Sequence, residues 1–365
     1  MNLYKKIIRP IFFQMNPDLL HEEIVRFGNL LGKTSITRKP LELIYNYENP
    51  ALETEVFGIK FKNPVGLSGG FDKNANLIQT LPALGFGFNE VGSVTARPYK
   101  GNPRPWNVRL KQEQSLIVNY GLKNQGVDII RKRIRAQKRS IPLIINIAKT
   151  NDARIKGEAS VEDYNKSFVK LQPLADIINI NISCPNTGDG QLLCESPVLL
   201  NKLLKRISQN KVKKPIVLKL KPDLSDELIK EIIDVSTKYV IVKGFIISNL
   251  TRNRNLLKKT NPKSVVQYSG GVSGKPMREL SNKMIKTIYK MTKGKYPIIG
   301  VGGVFEAKDA YEKICLGASL VELATGLIYG GPGTIKNINK GLVVLLKEDG
   351  FTNISQAIGS KNKFN

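Results

Sequence analysis

Ile177-Ile178-Asn179-Ile180-Asn181-Ile182-Ser183-Cys184-Pro185-Asn186-Thr187 is the stretch whose reading decides the fold. An apolar-rich run that stops at Ser-Cys-Pro-Asn reads as a buried strand delivering a loop, because Pro185 cannot donate to a ladder and Asn tolerates the turn. Cys184, set between Asn181 and Asn186, offers a proton-transfer group and two amides to a small polar ligand. The same residues also read as a strand end whose amides satisfy their own turn.

Outward from this strand the pattern repeats. Short apolar runs at 65–70, 88–95, 143–148, 177–183, 215–220, 245–249, 297–303 and 320–325 alternate with helical patterns at 76–84, 161–174, 197–207, 225–237, 280–291, 307–316 and 335–346. Eight strands over about 300 residues suit an α/β fold of the closed parallel (β/α)8 type, a TIM barrel with insertions. A doubly wound open sheet is the alternative and would need a reversal of strand order. Ala96 to Asn124 and Thr251 to Lys275 are long excursions of the kind that serve as lids or binding loops.

Residues 1–47 read as a small helical appendage, 48–350 as the barrel and 351–365 as a tail. Leu20, Ile24, Phe27 and Leu31 share one helical face after Pro17. Ile7, Ile8, Ile11, Phe12, Phe13 and Met15 make a second apolar surface flanked by Lys5, Lys6 and Arg9. Such a face either packs on the main domain, the plainer expectation, or meets a membrane surface or lipid-like ligand. The segment 55–62, alternating around Gly58, reads as a hairpin.

Composition narrows the function. With 41% hydrophobic and 24% charged residues, the 365-residue chain is ordinary for a globular protein. No run of about 18 apolar residues is present, and Met1 to Pro10 lacks the apolar core of a secretory signal. The formal charge of +27 comes from 57 Lys and Arg against 30 Asp and Glu, scattered along the chain with short clusters such as Arg131 to Arg135. Without an aromatic or zinc-finger signature this argues against nucleic acid and leaves an anionic membrane surface or acidic substrate. Cys184, Cys194 and Cys315 lack metal-ligand spacing, and the single histidine, His21, makes a histidine triad or zinc site improbable, so no metal is expected.

Polar residues and glycines crowd the C-terminal ends of the strands, where barrel enzymes place their sites. The first strand ends in Ser68-Gly69-Gly70-Phe71-Asp72-Lys73, and the fifth places Lys219 inside the barrel, where a charge is costly without an anionic partner. Gly300-Val301-Gly302-Gly303 and Ala324-Thr325-Gly326 on the last two strands resemble the usual phosphate loops of this barrel. Together these features suggest a cofactor with a phosphate and an electron-accepting ring.

At these residues the chain resembles the dihydroorotate dehydrogenases, flavin enzymes of pyrimidine biosynthesis. The likeness rests on Ile298-Ile299-Gly300-Val301-Gly302-Gly303 with Gly317-Ala318-Ser319-Leu320-Val321. Phe13-Gln14-Met15-Asn16-Pro17, His21-Glu22 and the ending Asp349-Gly350-Phe351 to Ala357-Ile358-Gly359 resemble the membrane-associated, quinone-using branch. The resemblance implies FMN held by Gly69, Gly70, Lys73, Ser93, Asn146, Asn181, Lys219, Ser248, Gly274, Gly303 and Thr325. It further implies a substrate site of Lys73, Asn119, Tyr120, Gly121, Leu122, Asn181, Asn186 and Asn249, with Cys184 as catalytic base and Lys73 between flavin and substrate. The implied reaction converts dihydroorotate to orotate and passes electrons to a quinone at the appendage, on the cytoplasmic face of a membrane. A Cys base is suitable because its reference pKa of about 8.5 is expected to fall beside Lys.

This chain also departs from the family pattern. The quinone-using branch carries Ser where Cys184 stands, whereas Cys is typical of branches using fumarate or NAD. Val118 stands where an amide is usual, with Asn119 one residue late, and Leu250 and Ala324 replace a hydroxyl and an aromatic. The alternatives are therefore the same reaction with fumarate or NAD as acceptor, in which case a cytoplasmic protein is expected, or a related FMN oxidoreductase acting on another small carbonyl compound.

Overall fold

The computed structural model describes residues 3–187 and 193–362, so the first two residues of the appendage and the last three of the tail lie outside the described ones. Its strands are β1 (Thr54–Val56), β2 (Ile59–Phe61), β3 (Val65–Asp72), β4 (Phe88–Val94), β5 (Asn107–Leu110), β6 (Ser115–Val118), β7 (Leu143–Ile147), β8 (Ile177–Asn181), β9 (Ile216–Leu220), β10 (Val242–Ile247), β11 (Gly271–Gly274), β12 (Ile298–Val301) and β13 (Ala318–Leu323). The α-helices are α1 (Arg9–Phe12), α2 (Pro17–Gly32), α3 (Ser35–Tyr45), α4 (Val127–Arg135), α5 (Glu158–Leu171), α6 (Pro197–Ser208), α7 (Asp226–Ser236), α8 (Arg278–Met291), α9 (Ala307–Leu316), α10 (Thr325–Gly330) and α11 (Thr334–Glu348).

All eight runs expected to be barrel strands close into one parallel barrel in the order β3, β4, β7, β8, β9, β10, β12, β13, with β13 pairing back onto β3. The open-sheet alternative is thereby excluded.

Side chains two residues apart on a strand share a face, and this period sorts the barrel. Phe88, Ile144, Ile177, Val217, Ile246, Ile299 and Leu320 meet inside it, closed off by Val56 and Phe61 of the β1–β2 hairpin. The alternate residues, among them Ile145, Ile178, Leu218, Phe245 and Val321, pack outward in the cluster that also holds Leu200, Ile232, Ile285, Ile314 and Leu342 from the surrounding helices. Two residues further along, toward the C-terminal ends, the inward positions change character. They are Ser68, Glu90, Asn146, Asn179, Lys219, Ser248 and Glu322, all buried.

Residues 76–84, read as a helix, are not one: they form turns and a short 3-10 segment, Pro82–Leu84. Asp72 accepts the backbone N–H groups of Asn76 and Leu77, both at 2.8 Å, and so satisfies donors that a helix would otherwise use. In place of the single excursions expected, β5 and β6 from one insertion pair antiparallel with β11 from the other, Gly271 opposite Val118. The Arg131 to Arg135 cluster belongs to α4, which buries Val127, Ile130 and Ile134.

The appendage docks by a face other than the apolar stripe. In α2, capped by Asn16 on the N–H groups of Asp18 and Leu19, Gly28 and Gly32 approach the barrel so closely that a Cβ would lie 2.7 Å from Leu77 and 2.4 Å from Thr80 Oγ1. Thr80 Oγ1 donates to the Gly28 carbonyl at 2.6 Å. Asp18 accepts from the backbone N–H groups of Trp106 and Asn107 at 2.9 and 2.8 Å. Of the expected stripe only Leu20 is buried, while Ile24 and Phe27 are 38% and 62% exposed. Packing of that stripe on the main domain is therefore corrected: small residues make the dock, and the stripe is left for the cavity described next.

Candidate active site

A cavity of about 770 Å³ opens over the C-terminal ends of the barrel strands. Its floor is the buried polar layer. Lys219 Nζ lies 3.0 Å from Glu90 Oε2, 3.4 Å from Ser68 Oγ and 3.9 Å from Glu322 Oε2. Glu90 also accepts from Gly69 N at 2.5 Å, from Asn146 Nδ2 at 2.7 Å and from Asn179 Nδ2. Burial alone would raise the Glu90 carboxyl, but Lys219 and these donors hold it below its ordinary range. Burial would likewise lower Lys219, and the adjacent carboxylate outweighs it, so the lysine keeps its proton. The charge that the sequence placed inside the barrel thus has its partner.

On one wall, β8 ends in the stretch around Cys184. Tyr164 Oη donates to the Asn181 carbonyl at 2.7 Å and fixes the strand end. Asn181 Nδ2 donates to Ser93 Oγ at 3.0 Å, and Asn249 Nδ2 reaches both Asn181 Oδ1 and Ser183 Oγ at 3.1 Å. Asn186 Nδ2 donates to the Val118 carbonyl at 2.8 Å, tying the loop to β6. Cys184 is half-buried on the cavity wall. Burial pushes its thiol up to about 11, against the Asn186 backbone N–H, Arg252 and Lys219, which act the other way. The expected fall beside a lysine is corrected, because desolvation of a thiolate outweighs a cation already committed to Glu90.

The opposite side is aromatic and cationic. Lys73 Nζ sits 3.0 Å from His21 Nε2 and 3.7 Å from the centre of the Tyr120 ring, which stacks on Trp106. Burial and then the nearby Lys123 bring Lys73 down to about 7. Beyond this cluster the cavity continues without a break along Phe12, Phe13, Leu20, Ile24, Phe27, Leu31, Leu41 and Tyr45 of the appendage. The apolar stripe of α2 therefore lines a passage that leads to the polar site.

The cavity brings together every residue implicated from the sequence except Asn119: Gly69, Gly70, Lys73, Ser93, Tyr120, Gly121, Leu122, Asn146, Asn181, Cys184, Asn186, Lys219, Ser248, Asn249, Gly274, Gly303 and Thr325 line it. Asn119 Oδ1 instead accepts from Asn102 Nδ2 at 3.0 Å, and Val118 faces the cavity. Glu90, Asn179 and Glu322 were missed. The signal for them was present, since each stands two residues after an apolar inward position, in the same layer as Lys219.

The residues also fit a flavin. Asn146 Oδ1, Ser248 Oγ and Asn186 Oδ1 are buried on the cavity wall with no hydrogen-bond partner among the described residues, acceptors and a donor that a polar ring edge would satisfy. Lys219 adds a fixed positive charge beneath them.

Residues 51–346 match the family model described as "Dihydroorotate dehydrogenase". The chain is 37% identical, over the full length of both, to dihydroorotate dehydrogenase (quinone) of Trichodesmium erythraeum. It is 40% identical to the protein of that name from Christiangramia forsetii, with 93% of this chain and 99% of the relative covered. Among solved structures it is similar to ligand-free DHODH from Eimeria tenella, with a TM-score of 0.85, 28% identity and 95% and 99% coverage. The crystal structure of the Eimeria tenella protein in complex with ferulenol gives a TM-score of 0.84 and 27% identity, with 97% and 99% covered. With its closed eight-stranded barrel and the polar site at the strand ends, the chain belongs to the dihydroorotate dehydrogenase family.

Proposed function

We propose that the protein is an FMN-dependent dihydroorotate dehydrogenase that delivers electrons to a quinone. The observation that carries this reading is one continuous cavity, polar at the strand ends and apolar where the appendage lines it. The polar end suits a small anionic substrate, and the apolar end suits a lipid-soluble acceptor.

FMN would be held by Gly69, Gly70, Ser93, Asn146, Lys219, Ser248, Gly274, Gly303 and Thr325. Bound there, it would supply an acceptor for the C6 hydride of dihydroorotate and a carrier of those electrons toward quinone. Asn181, Asn186 and Asn249 orient the pyrimidine through their amides, and Lys73 neutralises its carboxylate. Cys184, once ionised, removes the C5 proton: the C5–H bond breaks, the Sγ–H bond forms, and the electron pair closes the C5–C6 double bond of orotate. Lys219, fixed by Glu90, offers positive charge where negative charge develops. Asn119, which hydrogen-bonds Asn102, stabilises the lid and does not touch substrate.

We further divide the chain by role: residues 1–47 form the quinone entry, 48–350 the flavin-binding barrel, and 351–365 a tail. Among the described residues, eleven of the eighteen exposed large hydrophobic side chains lie between Leu3 and Ile44. Interspersed with Lys5, Lys6, Arg9, Lys33 and Lys39, they suit a peripheral seat on an anionic membrane surface facing the cytoplasm. No helix among the described residues is long and apolar enough to cross a membrane. Steady-state oxidation of dihydroorotate with a short-chain quinone, fumarate or NAD tests the assignment: turnover with quinone alone is expected, and preference for fumarate or NAD would overturn the acceptor.

A further inference from the structure

Asn102 stands behind the cavity wall rather than on it, in the excursion that precedes β5. Its side chain nonetheless joins three parts of the site. One amide N–H is donated to Asn119 Oδ1 at 3.0 Å, at the end of β6, and the other to the carbonyl of Asn186 at 3.1 Å, in the loop that carries Cys184. Asn102 Oδ1 accepts from Tyr99 Oη at 2.8 Å and from Asn151 Nδ2, beyond β7, at 3.2 Å. Both N–H groups and both lone pairs of the amide are thus engaged, which fixes its orientation. The backbone is held as well: Asn102 N donates to the Tyr120 carbonyl at 3.2 Å, and Trp106 Nε1 donates to the Asn102 carbonyl at 2.6 Å. Gly121 leaves room for the side chain, since a Cβ there would lie 2.2 Å from Asn102 Oδ1.

The loop after Cys184 has two consecutive carbonyls, and each is taken by a different insertion. Pro185 O accepts from Arg252 Nη2, and Asn186 O accepts from Asn102. Asn186 Nδ2 in turn reaches the Val118 carbonyl, and Val118 adjoins the same Asn119 that Asn102 holds. On the other side of Cys184, Ser183 Oγ accepts from Asn249. Arg252 is exposed, so water competes for its bond, and the half-buried, fully bonded amide of Asn102 is the firmer anchor.

We propose that Asn102 is a positioning residue for the reaction: its amide holds residue 186 against the lid and so keeps the Cys184 thiol within reach of the substrate, without itself touching substrate or flavin. This rests on the reading of Cys184 as the base. A base acts only within hydrogen-bond reach of the proton it takes, and a misplacement of about 1 Å costs up to about a hundredfold in rate. Cys184 stands two residues from the anchored carbonyl, so the chain between them is too short to absorb a movement of one without moving the other.

The test follows single-turnover reduction of the bound flavin by dihydroorotate, without oxygen, in native protein, Asn102→Ala, Cys184→Ala and the double variant. Asn102→Ala is expected to reduce its flavin about tenfold more slowly than native, the effect of one lost hydrogen bond, with FMN affinity and reoxidation by a short-chain quinone within about twofold of native. In the Cys184→Ala background there is no base left to position, and the same substitution is expected to cost less than about twofold. Asn102→Ser, which lets water answer the vacated groups, carries the same expectations where Asn102→Ala fails to fold. Unchanged flavin reduction in the single variant would overturn the proposal. A tenfold loss in both backgrounds, or a loss of FMN affinity, would assign Asn102 a merely structural role and overturn it equally. Native flavin that dihydroorotate does not reduce would overturn the reading of the reaction itself, whereas native reduction with an indifferent Asn102 would overturn the positioning role alone.

Discussion

Lys73 Nζ lies 3.0 Å from His21 Nε2, so the lysine that follows the first barrel strand is in direct contact with the appendage helix. Burial and the Lys73 charge hold the imidazole well below its ordinary range, so His21 stays neutral and can accept from the lysine. The helix that bounds the apolar passage thereby also positions the cation expected to meet substrate.

That cation titrates near neutrality. With Lys73 at about 7 in the free protein, it is charged below that pH and neutral above it. The KM for dihydroorotate is therefore expected to rise as pH increases through about 7, where the carboxylate loses its partner. Lys73→Met should raise KM below pH 7 to the level that native protein reaches above it, and so remove this dependence. Initial rates over a pH series check both, and a flat native KM would contradict the assignment.

Cys184 titrates in the opposite sense for turnover. Its thiol at about 11 must be ionised to act as base, so kcat is expected to climb with pH across the neutral and alkaline range below that value. The two dependences separate because one appears in KM and the other in kcat. Cys184→Ala should lower kcat by about a hundredfold or more while leaving the flavin bound. An active variant would remove Cys184 from the mechanism.

Lys313 supplies a stability test away from the site. It is fully buried on α9, with Nζ bonded to two neutral groups, Ser281 Oγ at 3.0 Å and Asn282 Oδ1 at 2.8 Å. Burial lowers it from 10.5 to about 7. Between those values the unfolded chain binds the proton and the folded chain does not, so stability rises with pH across that window. Lys313→Met is expected to raise Tm at neutral pH and to reduce that rise. Lys73 contributes in the same window, so part of the slope remains. Thermal melts over the pH range decide it, and an unchanged slope would contradict the assignment.

The exposed stripe of α2 separates the two half-reactions. Ile24→Glu with Phe27→Glu is expected to spare reduction of the flavin by dihydroorotate, to slow quinone reduction, and to weaken sedimentation with anionic vesicles. Unchanged quinone kinetics would remove the appendage from the acceptor site.

The barrel was legible because buried parallel strands are runs of Val, Ile and Leu, and each run could be read locally. Residues 76–84 misled because the competing acceptor, Asp72, lies outside the helical pattern itself. The β6–β11 pairing joins residues more than a hundred positions apart, a contact that no local pattern carries. Within the site, the strand end gave Lys219 and the family resemblance gave Asn146 and Ser248, but Glu90 and Glu322 needed the two-residue period followed through every strand. The Cys184 thiol was misjudged because desolvation belongs to the assembled wall and not to neighbouring residues in the chain. Asn119 was misplaced by one residue, which on a strand end turns a side chain to the other face.

The most direct test is to mix the protein anaerobically with dihydroorotate and follow its flavin absorbance. Bleaching of the oxidised flavin, reversed when quinone is added, is the predicted result and establishes cofactor, substrate and acceptor in one experiment. A bound flavin that stays oxidised in the presence of dihydroorotate would contradict the account, and would direct attention to the cavity side chains Val118 and Leu250 as determinants of a different substrate.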